Sequence, residues 1–206
     1  MSGLAATGLT CIRRDRVLFD SLSFSLQPGQ LIYLRGPNGA GKTSLLRILT
    51  GLSQPDAGDI SYCGRPLGHK FFHNLIYLGH KLGLNMAFNA LENLSFWCAQ
   101  HQTPVQAPVL YDVLNELGLV GLEDVPVKYL SAGQQRRVAL ARLWLKPAKF
   151  WIMDEPFTAL DTKGVALIEE VFAKHINSGG AILTTSHQAL SPRAGEVKFF
   201  DLEYQL

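Results

Sequence analysis

The stretch Gly36-Pro37-Asn38-Gly39-Ala40-Gly41-Lys42-Thr43 constrains this chain more than any other. It follows a compact apolar run, Leu31-Ile32-Tyr33-Leu34, with the length and composition of a buried strand. It leads into Ser44-Leu45-Leu46-Arg47-Ile48-Leu49, whose apolar residues fall on one side of a helix. Strand, glycine-rich turn and helix form the context in which the spacing G-x-x-x-x-G-K-[ST] makes a phosphate-binding loop. The glycines let the backbone curl until successive N–H groups point inward. The helix N-terminus adds the positive end of its dipole. On this reading Gly36, Pro37, Asn38, Gly39, Ala40, Gly41 and Ser44 wrap the phosphates, Lys42 reaches the β- and γ-phosphates, and the Thr43 hydroxyl ligates Mg²⁺. The expected cofactors are ATP and Mg²⁺.

Composition sets the frame. A chain of 206 residues suits one domain, or one domain carrying a subdomain. With 47% apolar and 17% charged residues it has the makings of a soluble protein with a sizeable core. A net charge of +2 gives no argument for nucleic-acid binding, and none is expected. No apolar run is long enough to span a bilayer, and Met1–Ala6 lacks the basic and apolar regions of a signal peptide. Cys11, Cys63 and Cys98 fit neither a metal spacing nor a haem-attachment pattern, so reduced, mostly buried cytosolic thiols are expected.

Residues 4–11 and 17–26 read as strands ahead of the loop, the second because Leu22, Phe24 and Leu26 alternate with serines. Further strands are expected at 60–64, 76–78, 150–153, 181–185 and 197–201. From about residue 82 to 135 the pattern turns helical. Leu91, Leu94 and Trp97 form one helical stripe, and Tyr111–Leu117 a second helix ended by Gly118. Between them Gln100–Pro108, with two prolines, reads as a loop. The whole of 1–206 is expected to be one domain, with a helical subdomain at about 82–135. Thr162–Ile176 is helical, with Val165, Ile168 and Phe172 toward the core. Strands alternating with helices, with motifs at strand ends, predict an α/β fold with a mainly parallel sheet and sites at its carboxyl edge.

The second motif is the apolar strand Phe150–Met153 ending in Asp154-Glu155. Beside a phosphate loop, Asp154 is placed to hold Mg²⁺, usually through water. Glu155 can then act as the general base, or orient the water that attacks the γ-phosphate. Alone, the pair would pass for two solvated acids at a strand end.

The third motif is Leu130-Ser131-Ala132-Gly133-Gln134-Gln135-Arg136-Arg137. Ser131 and Gly133 open a helix expected to run to Leu145, which makes a second anion site of its first N–H groups. Alone, Ser131 would be an ordinary helix cap. With the other two motifs this one resembles the L-S-G-G-Q signature of the ATP-binding cassette (ABC) ATPases, with Ala132 in place of the first glycine. The resemblance covers essentially the whole chain.

That resemblance implies a P-loop ABC ATPase core with an antiparallel β subdomain and an inserted helical subdomain. It implies a head-to-tail dimer in which Ser131, Gly133 and Gln134 close on the nucleotide held by Lys42 of a second copy. Thr158-Ala159-Leu160-Asp161 matches the family's D-loop, so Asp161 is expected near that shared site. His187 matches the switch histidine that hydrogen-bonds the γ-phosphate. Two departures stand out. Gly79-His80 occupies the place of the family's glutamine, which makes His80 the candidate there. The loop Ile12-Arg13-Arg14-Asp15-Arg16 replaces the usual adenine-stacking aromatic, where an Arg guanidinium could stack instead or simply be solvated.

Within the ABC ATPases, Gly79-His80, the brief C-terminus and the Leu-Ser-Ala-Gly-Gln form resemble the ATP-binding subunits of the haem exporters of cytochrome c maturation. The resemblance implies transmembrane partners of the CcmB/CcmC type, haem handled by those partners, and a peripheral place on the cytoplasmic face of a bacterial inner membrane. Leu84, Met86 and Phe88 are candidate docking residues, or ordinary subdomain core. An ABC exporter for another substrate is the alternative. A DNA-associated ABC ATPase is the more distant rival, since neither heptads nor a basic block appears.

Overall fold

The computed structural model describes residues 3–186 and 189–203. Two sheets result from two kinds of strand. β1 (Leu4–Arg13) and β2 (Arg16–Leu26) form a hairpin in which Leu4 faces Leu26 and Arg13 faces Arg16. Its two central turn residues, Arg14 and Asp15, both have positive φ, at 49° and 62°. That conformation matches the twist of the flanking strands. β4 (Ala57–Tyr62) and β5 (Arg65–Pro66) complete this antiparallel sheet in the order β2-β1-β4-β5. The alternation expected for 22–26 holds, with Phe24 and Leu26 buried, Leu22 half-buried and the serines exposed.

The second sheet contains β3 (Leu31–Arg35), β6 (Leu75–Leu78), β7 (Phe150–Met153), β8 (Ala181–Thr184) and β9 (Val197–Asp201). All four pairings are parallel, in the order β6-β7-β8-β3-β9. Its inner strands are unbroken apolar runs because both faces are covered. Successive residues therefore serve two different cores. Phe150, Ile152 and Leu183 pack with the antiparallel sheet and α1 (Lys42–Leu49), through Leu45, Leu46 and Leu49. Trp151, Met153 and Ile182 pack on the other side, against α3 (Ala90–Gln100), α4 (Ala107–Glu116), α5 (Ala132–Leu140) and α7 (Thr162–Asn177).

Two expected helix boundaries move, and one helix was not expected. The loop foreseen at 100–108 is shorter, because Pro108 sits in the first turn of α4, where its missing N–H costs nothing. The helix opened by Ser131 breaks at Ala141 and resumes as α6 (Arg142–Leu145). A five-residue helix, α2 (His69–His73), lies where no helical period is long enough to read. Among the described residues no helix is long and apolar enough to cross a membrane.

Because all five strands of the second sheet run the same way, their carboxyl ends share one edge. Gly36 follows β3, Asp154 follows β7 and Thr185 follows β8, which lies between them.

Candidate phosphate-binding and hydrolytic site

The loop 36–41 is shaped by its glycines at two points. A Cβ on Gly36 would lie 2.3 Å from the backbone oxygen of Leu202, where the chain after β9 crosses the loop. Gly41 caps α1 at φ 101°, a conformation side chains disfavour. Lys42 lies across the loop, its Nζ donating to the carbonyls of Gly36 (2.6 Å) and Pro37 (3.1 Å). A cleft of about 340 Å³ opens here. Asn38, Gly39, Gly41, Lys42, Thr43 and Ser44 line one side of it and Asp154 and Glu155 another.

Beneath the loop, three side chains form one hydrogen-bonded unit. Thr43 Oγ1 donates to Asp154 Oδ2 at 2.7 Å. Thr185 Oγ1 donates to Asp154 Oδ1 at 2.9 Å and accepts the N–H of Glu155 at 2.9 Å. Asp154 is 4% exposed, and its own N–H donates to the Leu78 carbonyl. One carboxylate oxygen is thus aimed by the first turn of α1 and the other by the end of β8. Hydroxyl and carboxylate oxygens are the hard donors that Mg²⁺ selects, so the residues present fit that ion.

Thr185 was not singled out from the sequence. Its only signal was a threonine at the end of the apolar strand 181–184, and nothing local revealed that β8 lies next to β7.

Glu155 turns sharply away from the strand, with φ 53°. A non-glycine residue held there costs of order 1 kcal/mol, and such strain is kept where the surroundings fix it. Its carboxylate lies 3.4 Å from the Thr158 hydroxyl. Tyr77 is packed nearby, its phenol pushed above the usual value, first by burial and then by the Asp154 carboxylate.

His80 stands exposed two residues past β6, on the same sheet edge. Gly79 before it leaves no room for a side chain, since a Cβ would meet the Tyr77 hydroxyl at 2.9 Å. His187 lies outside the described residues. Arg13 lines the cleft, with its Nη1 donating to its neighbour Ile12 and 3.4 Å from Asp56.

The signature residues are elsewhere in the chain: among the described lining residues of the cleft none comes from 131–134. Ser131 caps α5 through a capping box, accepting the Gln134 N–H at 3.3 Å while Gln134 Oε1 accepts the Ser131 N–H at 2.8 Å. Ala132 is exposed, so its methyl meets no wall. Gly133 is different: a Cβ there would lie 2.5 Å from the carbonyl oxygen of Ala159. The one glycine this chain replaces is therefore the one with room for a side chain. Asp161 caps α7 through the Gly164 N–H and pairs with Arg137 Nη2 at 2.6 Å. The Gly164 N–H, and then the Arg137 guanidinium, hold its carboxyl below the usual range.

Comparison with known proteins places this geometry. Residues 19–158 match the sequence model of the ABC transporter family. "Cytochrome c biogenesis ATP-binding export protein CcmA" of Yersinia pestis is 47% identical over 198 residues, covering 95% of this chain and 90% of that protein. The protein so named in Idiomarina loihiensis is 48% identical over 205 residues, covering 98% and 93%. In fold, a putative ABC transporter ATP-binding protein from Pyrococcus furiosus superposes with a TM-score of 0.82 at 23% identity, covering 98% of each chain. The ATP-binding cassette MJ0796, solved as a dimer in a post-hydrolysis state with ADP and Pi, gives 0.83 at 18% identity, covering 98% of this chain and 97% of the other. The antiparallel sheet, the parallel sheet with its phosphate loop, and the helices between β6 and β7 are those of an ABC ATPase, and the chain belongs to the ABC transporter family.

Proposed function

We propose that this chain is the ATP-hydrolysing subunit of a membrane-bound ABC export complex serving c-type cytochrome biogenesis. The observation that carries the reading is the identity of 47–48% across nearly the whole chain with proteins named for that role. The hydrolytic part is supported by the hydrogen-bonded unit Thr43–Asp154–Thr185 beneath Lys42.

In this reading the N–H groups of the loop and Lys42 bind the β- and γ-phosphates of ATP. Thr43 and Asp154 would hold Mg²⁺, which when bound offsets phosphate charge. Thr185 keeps Asp154 and the backbone of Glu155 in register. Glu155 orients the attacking water and accepts its proton. His80 and His187 are the candidates to stabilise the charge that develops on the transferred phosphate.

Ser131, Gly133, Gln134 and Asp161 act on the nucleotide of a second copy, which accounts for their absence from this chain's own cleft. ATP then closes a head-to-tail dimer and hydrolysis releases it. Arg13, which lines the cleft, is the candidate to stack on the base.

The partners are transmembrane subunits of the CcmB/CcmC type, with Mg-ATP consumed on the cytoplasmic face of the inner membrane and haem handled by those partners. Met86 (45% exposed) and Phe96 (57% exposed) are the apolar candidates for docking them, with Phe88 packed edge-on against Phe96. Leu84 is half-buried against the core instead.

The test is affinity capture of the tagged Glu155→Gln chain from membranes with ATP. Recovery of a dimer with transmembrane subunits and a haem absorption band supports the reading. A complex of unrelated membrane subunits with no haem would assign the ATPase to another exporter, and a monomer without membrane subunits would refute the transport role.

A further inference from the structure

Arg136 lies one turn into α5 and is only 7% exposed, with none of its nitrogens among the fully buried atoms left without a partner. A guanidinium has five N–H donors and keeps its charge, so sinking most of it into the protein is unfavourable unless an opposite charge faces it. Three contacts fix which way this side of the helix faces. Gly133, three residues earlier on the same face, abuts the Ala159 carbonyl. Arg137, the next residue, gives one nitrogen to Asp161 at 2.6 Å and the other to the Leu117 carbonyl at 2.9 Å. Gln135 turns the other way, to the carbonyls of Val127 and Leu130. Arg136, on the same side of α5 as Gly133, is thereby turned toward the 154–161 segment. The charges acting on it are those carboxylates, Glu155 first and Asp154 second, and they oppose the loss of its proton that burial favours.

We infer that Arg136 is a positioning residue for hydrolysis: its buried cation faces Glu155, keeps that carboxylate directed at the attacking water, and does so only while α5 is seated on the 154–161 segment. The inference rests on the role proposed for Glu155. Two adjacent carboxylates at one strand end repel each other. Asp154 is held by two hydroxyls, and Arg136 supplies the charge that steadies its neighbour. The arrangement also joins the signature helix to the hydrolytic carboxylate within one chain.

A merely structural arginine would behave differently. A buried cation is a poor stabiliser compared with an apolar side chain of similar volume, so Arg136→Met should melt at or above the parental temperature. Its kcat for ATP should nevertheless fall about 10- to 100-fold, the scale of a small misplacement at a reacting centre, with KM for ATP within about twofold. Arg136→Lys should recover most of the rate. In the Glu155→Gln background Arg136→Met should cause no further loss, because the residue it positions is gone. These measurements use the full chain, with steady-state ATPase assays and thermal melts side by side.

A parental kcat in Arg136→Met would overturn the inference, as would a melting loss that parallels the loss of rate and is not rescued by lysine. If the Met variant does not fold, Arg136→Gln carries the same expectations for kcat and KM. Should Glu155→Gln itself turn over ATP normally, the reading of Glu155 fails first, and that result is distinct from a silent Arg136→Met.

Discussion

Replacing Thr185 with valine tests the centre of the site with almost no change of shape. Thr185 is fully buried, and its hydroxyl joins the N–H of Glu155 to the Oδ1 of Asp154, both at 2.9 Å. Valine fills the same volume and removes both bonds. A buried donor or acceptor left without a partner costs about 1–3 kcal/mol, toward the upper end for a carboxylate. Against this, a buried methyl group returns roughly 0.8 kcal/mol. The net loss is about 2–4 kcal/mol, and at roughly 2–4 °C per kcal/mol for a chain of this size the melting temperature should fall by about 5–15 °C. Activity should fall too, since the bond that fixes Glu155 in its left-handed turn is gone; a kcat loss of about tenfold or more is expected, with ATP binding at Lys42 largely kept. Thr185→Ser retains the hydroxyl and should recover most of the rate while losing about 1 kcal/mol for the missing methyl. Circular dichroism melts and ATPase assays of the three proteins decide the matter. If the valine variant melts within a degree of the parent and turns over normally, the hydroxyl bridge does not hold the site together.

Lys42→Ala should abolish binding of a fluorescent ATP analogue, and retained affinity would remove the phosphate loop from the mechanism. Gly133→Ala should cost about 1–3 kcal/mol, because its methyl would meet a backbone carbonyl that cannot swing aside, whereas Ala132→Gly should change stability by under about 1 kcal/mol; thermal melts compare them. His175 lies flat against Trp151, rings 3.6 Å apart, and burial pushes its pKa down to about 4 from an ordinary 6.5. The unfolded chain therefore takes up this proton first as pH falls. The stabilisation is full above pH 6.5 and lost on acidification toward pH 4. Its upper bound is roughly 3 kcal/mol, which the partial exposure of the ring reduces to about 1–2 kcal/mol. His175→Phe should accordingly lose less stability between pH 7 and pH 5 than the parent in urea titrations; an unchanged pH dependence would contradict this account.

The parts of the site that could be read from the sequence are those formed by adjacent residues. Gly36–Thr43 carries its own strand, turn and helix, and Asp154-Glu155 announces itself by ending an apolar run. The pairings that complete the site join residues far apart in the chain. Thr43 meets Asp154 across 111 positions and Thr185 meets Asp154 across 31, and both depend on the strand order β7-β8-β3, which no local pattern encodes. Pro108 misled because proline both breaks helices and begins them. The buried cations were invisible for a similar reason. Arg142, held to a pKa of about 10 by burial, looks like any helical arginine until its nitrogens are found on the carbonyls of Leu82 and Gly83.

That last contact gives α5 and α6 a part beyond carrying the signature residues. Gln135 holds the carbonyls of Val127 and Leu130, Arg137 those of Leu117 and the Asp161 carboxylate, and Arg142 the segment just past His80. Gly133 bears on the loop after Glu155. Backbone pairing of Val127 with Phe88 and Lys128 with Met86 ties the exposed apolar face to the same network. Each of these is a short directional bond, and α5 begins with a capping box, so the assembly resists bending and transmits displacement. If transmembrane subunits dock at Met86, a displacement there reaches Gln135 of α5 through the backbone pairs of residues 127 and 128. On its other side α5 bears, through Gly133, on the loop after Glu155, while Arg142 of α6 holds the segment past His80, so the docking face and the hydrolytic carboxylate are joined by a few direct contacts.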